Sequence, residues 1–240
     1  MKLPRTLVFL SIHNIHVLIF AVALSKMIIA EILSYKADII CLQEVDAAIH
    51  DSLLGPVLTA NGYQGFYSNK VTCQQEGCSM FWSTSVFETA KAEDMREFPL
   101  RSLLTEDAAA KLDESEYYNA KCTTQDLQLE RWESMTGIRQ LLESHDEVRR
   151  VYSAEVGQIL QVATLSPKQT TLCKPERLVV ANTHLFYHPM AGHIRLLQAY
   201  AVCHKLDQIR RQDTDEPSPL LICGDFNSDP LSGEFVLRHL

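Results

Sequence analysis

Three short apolar runs, at residues 39–42, 178–182 and 220–223, each lead straight into polar or ionisable residues. They deliver Gln43-Glu44, Thr183-His184 and Gly224-Asp225-Phe226-Asn227. Runs this short, rich in Ile, Val, Leu and Cys and without a helical period, fit strands that are largely buried. Strands of that kind need cover on their faces, so the chain has to fold in layers.

The stretches between them supply the cover. Residues 25–37 read as an amphipathic helix, and a shorter helix is expected within 46–60. Residues 78–86 have the β-branched and aromatic content of a strand, and residues 158–165 alternate apolar and polar like another. Residues 193–211 read as a long helix whose apolar face carries Ile194, Leu197, Ala201, Val202, Leu206 and Ile209. Residues 213–219, with two prolines, read as a loop, and Asp229 before Pro230 reads as a helix N-cap with proline at the first helical position. Between about 88 and 150 the chain is charged and helix-prone with no strand pattern, which reads as a helical insertion or lid. The expected fold is α+β: a four-layer sandwich of two packed mixed sheets flanked by helices.

A length of 240 residues suits one large domain with a substantial core. The net charge of −8 argues against a protein that coats nucleic acid through a general basic surface. It leaves a nucleic-acid enzyme open, because a metal reverses the field of a carboxylate-lined cleft. Arg149-Arg150 and Arg210-Arg211 are small clusters and read as solvated helix surface. Seven cysteines, an odd number with no zinc-site spacing, read as thiols in a reducing compartment. Residues 1–24 form an atypical apolar segment. Lys2 and Arg5 precede an apolar run that ends in Ala21-Val22-Ala23, the outline of a secretory signal, but His13, Asn14 and His16 interrupt it. The secretory reading is therefore the lesser one, and a membrane partner is not expected.

Taken singly, the polar residues at the strand ends have plain explanations. Glu44 could be an acid in the first turn of the following helix, and His184 a core histidine. Asp225 and Asn227 could serve turn chemistry. Taken together they are the parts that phosphodiester hydrolysis requires. A hard Mg²⁺ takes carboxylate oxygens and keeps several waters, a second carboxylate orients or deprotonates the attacking water, and a His or Asn donor meets the charge that builds on phosphorus.

The motifs Leu42-Gln43-Glu44-Val45, Asn182-Thr183-His184-Leu185 and Gly224-Asp225-Phe226-Asn227 resemble successive motifs of the endonuclease/exonuclease/phosphatase superfamily. The longer stretches around Glu44, Glu76-Gly77-Cys78, His184-Leu185-Phe186-Tyr187-His188-Pro189 and Ile194-Arg195-Leu196-Leu197-Gln198 are similar to its 2′,5′-phosphodiesterase and deadenylase branch. That resemblance, from about residue 26 to 240, implies Glu44 as a Mg²⁺ ligand, with Mn²⁺ as the alternative ion. It implies Asp225 as the residue that positions or activates the water, Asn227 supporting it at the phosphate, and His184 on the scissile phosphate. Arg195, Gln198 and His188 are implied to face the substrate, although a buried hydrogen-bonding role for Arg195 and Gln198 is equally open. The implied substrate is RNA, as 2′,5′-oligoadenylate or a poly(A) 3′ end, cleaved to 5′-AMP, with no DNA expected. The implied location is mitochondrial, with the cytoplasm as alternative.

Two parts of that pattern have no match. The superfamily's asparagine on an N-terminal strand has no clear counterpart, since the residues flanking Asn14 differ. The Ser-Asp-His motif that completes the site is absent from the 13 residues after Asn227. Where relatives carry basic residues after Phe81-Trp82, this chain has Ser83-Thr84-Ser85. The resemblance thus implies a domain incomplete at its C-terminus, with weak or no turnover. The competing readings are a phosphatase or lipid phosphodiesterase on the same site, and a non-catalytic fragment.

Overall fold

The computed structural model describes residues 7–11, 18–88, 90–104, 138, 140, 142–168, 176–212 and 216–229. Two compact units divide the chain. The first comprises Met1–Glu97, Ile159–His184 and Ser218–Asp225; the second comprises Phe98–Gln158, Leu185–Pro217 and Phe226–Leu240. Asn14, Pro230 and the greater part of the expected insertion, residues 105–137, lie outside the described residues.

The strands form two four-stranded sheets. The first has the order β1 (Leu7–Ser11), β2 (Ile39–Asp46), β4 (Cys73–Ser83), β3 (Tyr63–Lys70). β1 runs parallel to β2, whereas β2–β4 and β4–β3 are antiparallel. The second has the order β5 (Met95–Pro99), β6 (Ile159–Leu165), β7 (Leu178–His184), β8 (Leu220–Asp225), with β6–β7 antiparallel and β7–β8 parallel. Two mixed sheets with helices are what the strand patterns predict.

Residue parity along β2 explains its unbroken apolar run. Ile39 and Cys41 pack with Met80, Trp82, Ala163, Leu165, Val180 and Cys223, the layer shared by both sheets. Ile40 and Leu42 point the other way, into a cluster with Ile29 and Ile32 of helix α1 (Leu18–Ser34) and with Leu54 and Leu58. Both faces of β2 are buried, so both parities are apolar. The helix after β2 starts at Asp46, whose carboxylate accepts from the Ile49 amide at 3.0 Å. It runs as α2 (Ala47–Ile49), a π-helical turn at His50–Leu54, and α3 (Gly55–Ala60).

Several boundaries differ from the expectations. α1 begins at Leu18 rather than 25, because the apolar residues 18–24 contain no helix breaker. It ends at Ser34, and Lys36 follows with left-handed backbone at φ +49°. β3 was not expected, since Gly65 and four polar residues mask its alternation. β4 starts five residues before the expected strand and ends at Ser83. The expectation of no strand within 88–150 is corrected by β5. Its sequence, Met-Arg-Glu-Phe-Pro, is that of an edge strand, where charge and a terminal proline are tolerated and hide the pattern.

In the second unit, a 3₁₀ turn (Leu100–Leu103), α4 (Asp146–Arg150) and a π-helical turn (Val151–Glu155) are tied together. The Tyr152 hydroxyl donates to the Leu100 carbonyl at 2.9 Å, and the Leu100 amide donates to Gln158. Helix α5 (Gly192–Arg211) buries the face that the sequence predicts, including Ile194, Leu197, Ala201, Val202, Leu206 and Ile209. The arginine pairs are compensated locally: Arg149 by Asp146, Arg150 by Glu155, and Arg210 and Arg211 by Asp207.

Candidate active site

Parity on the inter-sheet face sets up the site. Cys41 and Val180 lie in the shared layer, so Gln43, Asn182 and His184 follow on the same side of their strands. Cys223 likewise puts Asp225 there. His184 and Asp225 are register partners across β7 and β8, with His184 Nε2 3.9 Å from Asp225 Oδ2. Gly224 makes this possible. Its φ is +150°, and a Cβ there would meet the Thr183 carbonyl oxygen at 2.0 Å.

Glu44 has the wrong parity for this face. In a regular strand it would point with Ile40 and Leu42 toward the helices. Instead the β2–β4 register slips between Leu42, opposite Ser79, and Val45, opposite Gly77: three steps on β2 against two on β4. That is a β-bulge, and Glu44 sits in it with φ +55°. The bulge switches the parity, so Val45, an odd-numbered residue, joins Ile40 and Leu42 in the helix-side cluster. Glu44 is thereby turned toward the inter-sheet side, with Oε1 4.0 Å from His184 Nε2. Left-handed backbone at a non-glycine residue costs on the order of 1–3 kcal/mol, and such strain concentrates at functional sites.

A further carboxylate completes the group. Ligand atoms of Glu44, Glu76 and His184 all lie within 4.8 Å of one another. The sequence reading assigns Glu76 no place in the site, although the Glu76-Gly77-Cys78 stretch is part of the resemblance. The signal was its parity, because Trp82 and Met80 face the shared layer and Glu76 stands on the same side of β4. Glu76 is ion-paired with Lys70. The Glu44, Glu76 and Asp225 side chains are 20%, 28% and 30% exposed, open enough to meet a solute, while that of His184 is 6% exposed and fixed.

The other expected residues belong to the second unit. Arg195 is buried, and its guanidinium donates to the carbonyls of Phe186 at 3.3 Å and His188 at 2.7 Å. Gln198, fully buried, accepts from the Phe186 amide at 2.9 Å and donates to Gln158 at 3.2 Å. Both brace the segment that follows His184. The exposed His188 accepts from the Met190 amide through Nδ1 at 3.2 Å. Asn227 has left-handed backbone at φ +49°, and its side chain donates to the Leu185 carbonyl at 2.8 Å.

Residues 21–239 match the endonuclease/exonuclease/phosphatase family, and the chain belongs to it. It is 33% identical over 211 residues to human 2′,5′-phosphodiesterase 12, covering 85% of this chain and 28% of that protein. The chain therefore spans little more than a quarter of that relative. The structure of ANGEL2, a 2′,3′-cyclic phosphatase solved with adenosine-2′,3′-vanadate, superposes with a TM-score of 0.61 at 22% identity, over 89% of this chain and 46% of that one. D. rerio TDP2, solved with a single-strand DNA product, shares the fold with a TM-score of 0.50 at 13% identity, over 90% of this chain and 57% of that one. A fold shared with a protein solved on DNA gives no ground for excluding DNA, and that expectation is withdrawn. Among the described residues, no helix is long and apolar enough to cross a membrane.

Proposed function

We propose that this member of the family is a Mg²⁺-dependent phosphodiesterase that acts as a 3′-exoribonuclease on 2′,5′-oligoadenylate or poly(A) and releases 5′-AMP. The observation that carries the reading is the convergence of Glu44, Glu76 and His184, with Asp225 beside His184, from four strands. Likeness to human 2′,5′-phosphodiesterase 12 supports the choice of substrate.

The donor set fits the ion. Two carboxylates within reach of each other, with solvent access for further waters, suit a hard divalent cation. Glu44 and Glu76 would hold Mg²⁺, and the imidazole beside them makes Mn²⁺ a workable substitute. When bound, the ion neutralises phosphoryl oxygens and stabilises the leaving oxygen. Asp225 orients the attacking water and takes its proton as the new P–O bond forms. The P–O bond to the penultimate ribose breaks, and that ribose oxygen takes a proton from solvent and leaves as a hydroxyl. His184, fixed by burial beside Asp225, donates to a non-bridging phosphate oxygen. Asn227 is assigned to the phosphate on the Gly-Asp-Phe-Asn motif alone. Arg195 and Gln198 act by bracing the main chain after His184, and His188 is the exposed group on that segment. A mitochondrial setting belongs to this reading, with the cytoplasm as its alternative, and organelle fractionation decides between them.

The test is a panel with Mg²⁺: 2′,5′- and 3′,5′-linked adenylate trimers, a deoxyadenylate trimer and an inositol polyphosphate. Release of 5′-AMP from an adenylate trimer supports the proposal. Turnover of the inositol polyphosphate alone makes the chain a phosphatase or lipid phosphodiesterase, turnover of the deoxy trimer alone makes DNA the substrate, and binding without turnover makes it a non-catalytic member.

A further inference from the structure

A left-handed glutamate in a bulge holds its shape only where its surroundings over-determine it. The group that surrounds this one is the side chain of Asn182, fully buried on β7. Its Nδ2 donates to the Leu42 carbonyl at 3.1 Å and to the Ser79 carbonyl at 3.2 Å. Leu42 and Ser79 are the last register partners before the bulge. The same nitrogen reaches Gln161 Oε1 at 3.1 Å, and Asn182 Oδ1 accepts from Gln43 Nε2 at 2.7 Å. Two hydrogens serve three acceptors, so one is shared. Gln161 in turn donates to Ser68 Oγ at 3.1 Å and to the Phe66 carbonyl at 3.3 Å, which fixes its own amide.

Asn182 therefore touches the residue two before Glu44, the residue immediately before it, and the strand opposite. Two positions on, along the same face of β7, His184 stands 4.0 Å from the Glu44 carboxylate. One strand thus sets both the backbone that aims Glu44 and the imidazole that faces it.

We propose that Asn182 is a positioning residue for Glu44: its amide clamps both strands at the bulge and aims the Glu44 carboxylate into the metal cluster. The inference rests on the proposed role of Glu44 as a metal ligand. Gln43 orients the Asn182 amide and belongs to the same device.

The experiment is a Mn²⁺ titration by calorimetry, with Tm measured on the same samples, for wild type, Glu44→Gln, Asn182→Ala, Gln43→Met and Thr183→Val. Thr183 is buried on the opposite face of β7 and donates to the Ile159 carbonyl at 2.9 Å. Its variant is the control for lost stability. Wild type binds Mn²⁺ and Glu44→Gln does not. Asn182→Ala weakens binding roughly 10- to 100-fold, the usual range for groups that orient a ligand, and Gln43→Met weakens it less. Thr183→Val lowers Tm and leaves the affinity unchanged. On an adenylate trimer, Asn182→Ala lowers kcat with little change in KM, and excess Mn²⁺ restores rate. A folded Asn182→Ala with wild-type affinity overturns the proposal, as does equal weakening by Thr183→Val. If Asn182→Ala does not fold, wild-type affinity in Gln43→Met overturns it. A wild type that binds no Mn²⁺, or binds it equally after Glu44→Gln, overturns the metal-site reading itself.

Discussion

His184 and Asp225 sit side by side on parallel strands, with the imidazole Nε2 3.9 Å from the carboxylate Oδ2. In the proposed mechanism these are the phosphate donor and the general base, set on the adjacent ends of β7 and β8. Asp225→Ala and His184→Ala are each expected to lower kcat for adenylate cleavage by roughly 100-fold or more, the usual contribution of a general base or a charge-stabilising donor. Steady-state rates decide it, and a loss of less than about tenfold in Asp225→Ala would remove that residue from the reaction.

The close approach of β7 and β8 at Gly224 is expected to be intolerant of any side chain. A Cβ would meet the Thr183 oxygen at 2.0 Å, so Gly224→Ala either parts the two strands or unfolds the sheet. A loss of about 3 kcal/mol or more is expected in denaturant melts. A melt indistinguishable from wild type would show that the strands can separate freely.

Glu76 is expected to act as a ligand rather than as a partner for Lys70 alone. Glu76→Gln should weaken Mn²⁺ binding by about an order of magnitude, since it removes a charged donor from the hard-ion set. The exposed Glu88→Gln provides the comparison and should leave the affinity unchanged. Equal affinities in both variants would confine Glu76 to its ion pair.

Arg195 is expected to affect substrate binding only through the main chain that it braces. Arg195→Ala frees the carbonyls of Phe186 and His188 and should raise KM more than it lowers kcat. Arg195→Lys should not rescue it, because an ammonium does not reproduce the two directed guanidinium bonds. Full rescue by lysine would mean that charge alone matters there.

Stability should fall in alkaline solution for a reason located in the first unit. Burial pushes the Cys78 thiol up to about 12 from an ordinary value near 9. The unfolded chain gives up this proton first, so the native state binds more protons between about pH 9 and 12, and stability declines as pH rises through that window. The slope from this group is at most about 1.4 kcal/mol per pH unit. Chemical denaturation at pH 8, 10 and 11, compared with Cys78→Ala, measures it. A variant with the same alkaline slope as wild type would assign the loss to other groups.

The three strands of the opening sequence pattern are legible as unbroken apolar runs, and the long helix from 192 to 211 by its helical period. The same pattern placed His184 and Asp225, whose parity follows directly from the apolar residues before them. β3 and β5 were not legible, since Gly65 in one and the charges of an edge position in the other hide the alternation. Glu44 was identified by its motif, but no sequence rule shows that its parity is wrong and that a bulge corrects it. Glu76 was readable in principle by counting back in twos from Trp82. Arg195 and Gln198 carry polar side chains on an apolar helix face, a pattern that fits either a substrate contact or a buried brace. Only their hydrogen bonds to the 186–188 backbone distinguish the two.

The most direct measurement of the central claim is 5′-AMP release from a 2′,5′-linked adenylate trimer as Mg²⁺ is titrated, wild type against Glu44→Gln. The expected result is release that rises with Mg²⁺, stops with chelator and is lost in Glu44→Gln. Release that ignores the chelator, or that survives in Glu44→Gln, would contradict a metal-dependent site built on the bulge of β2.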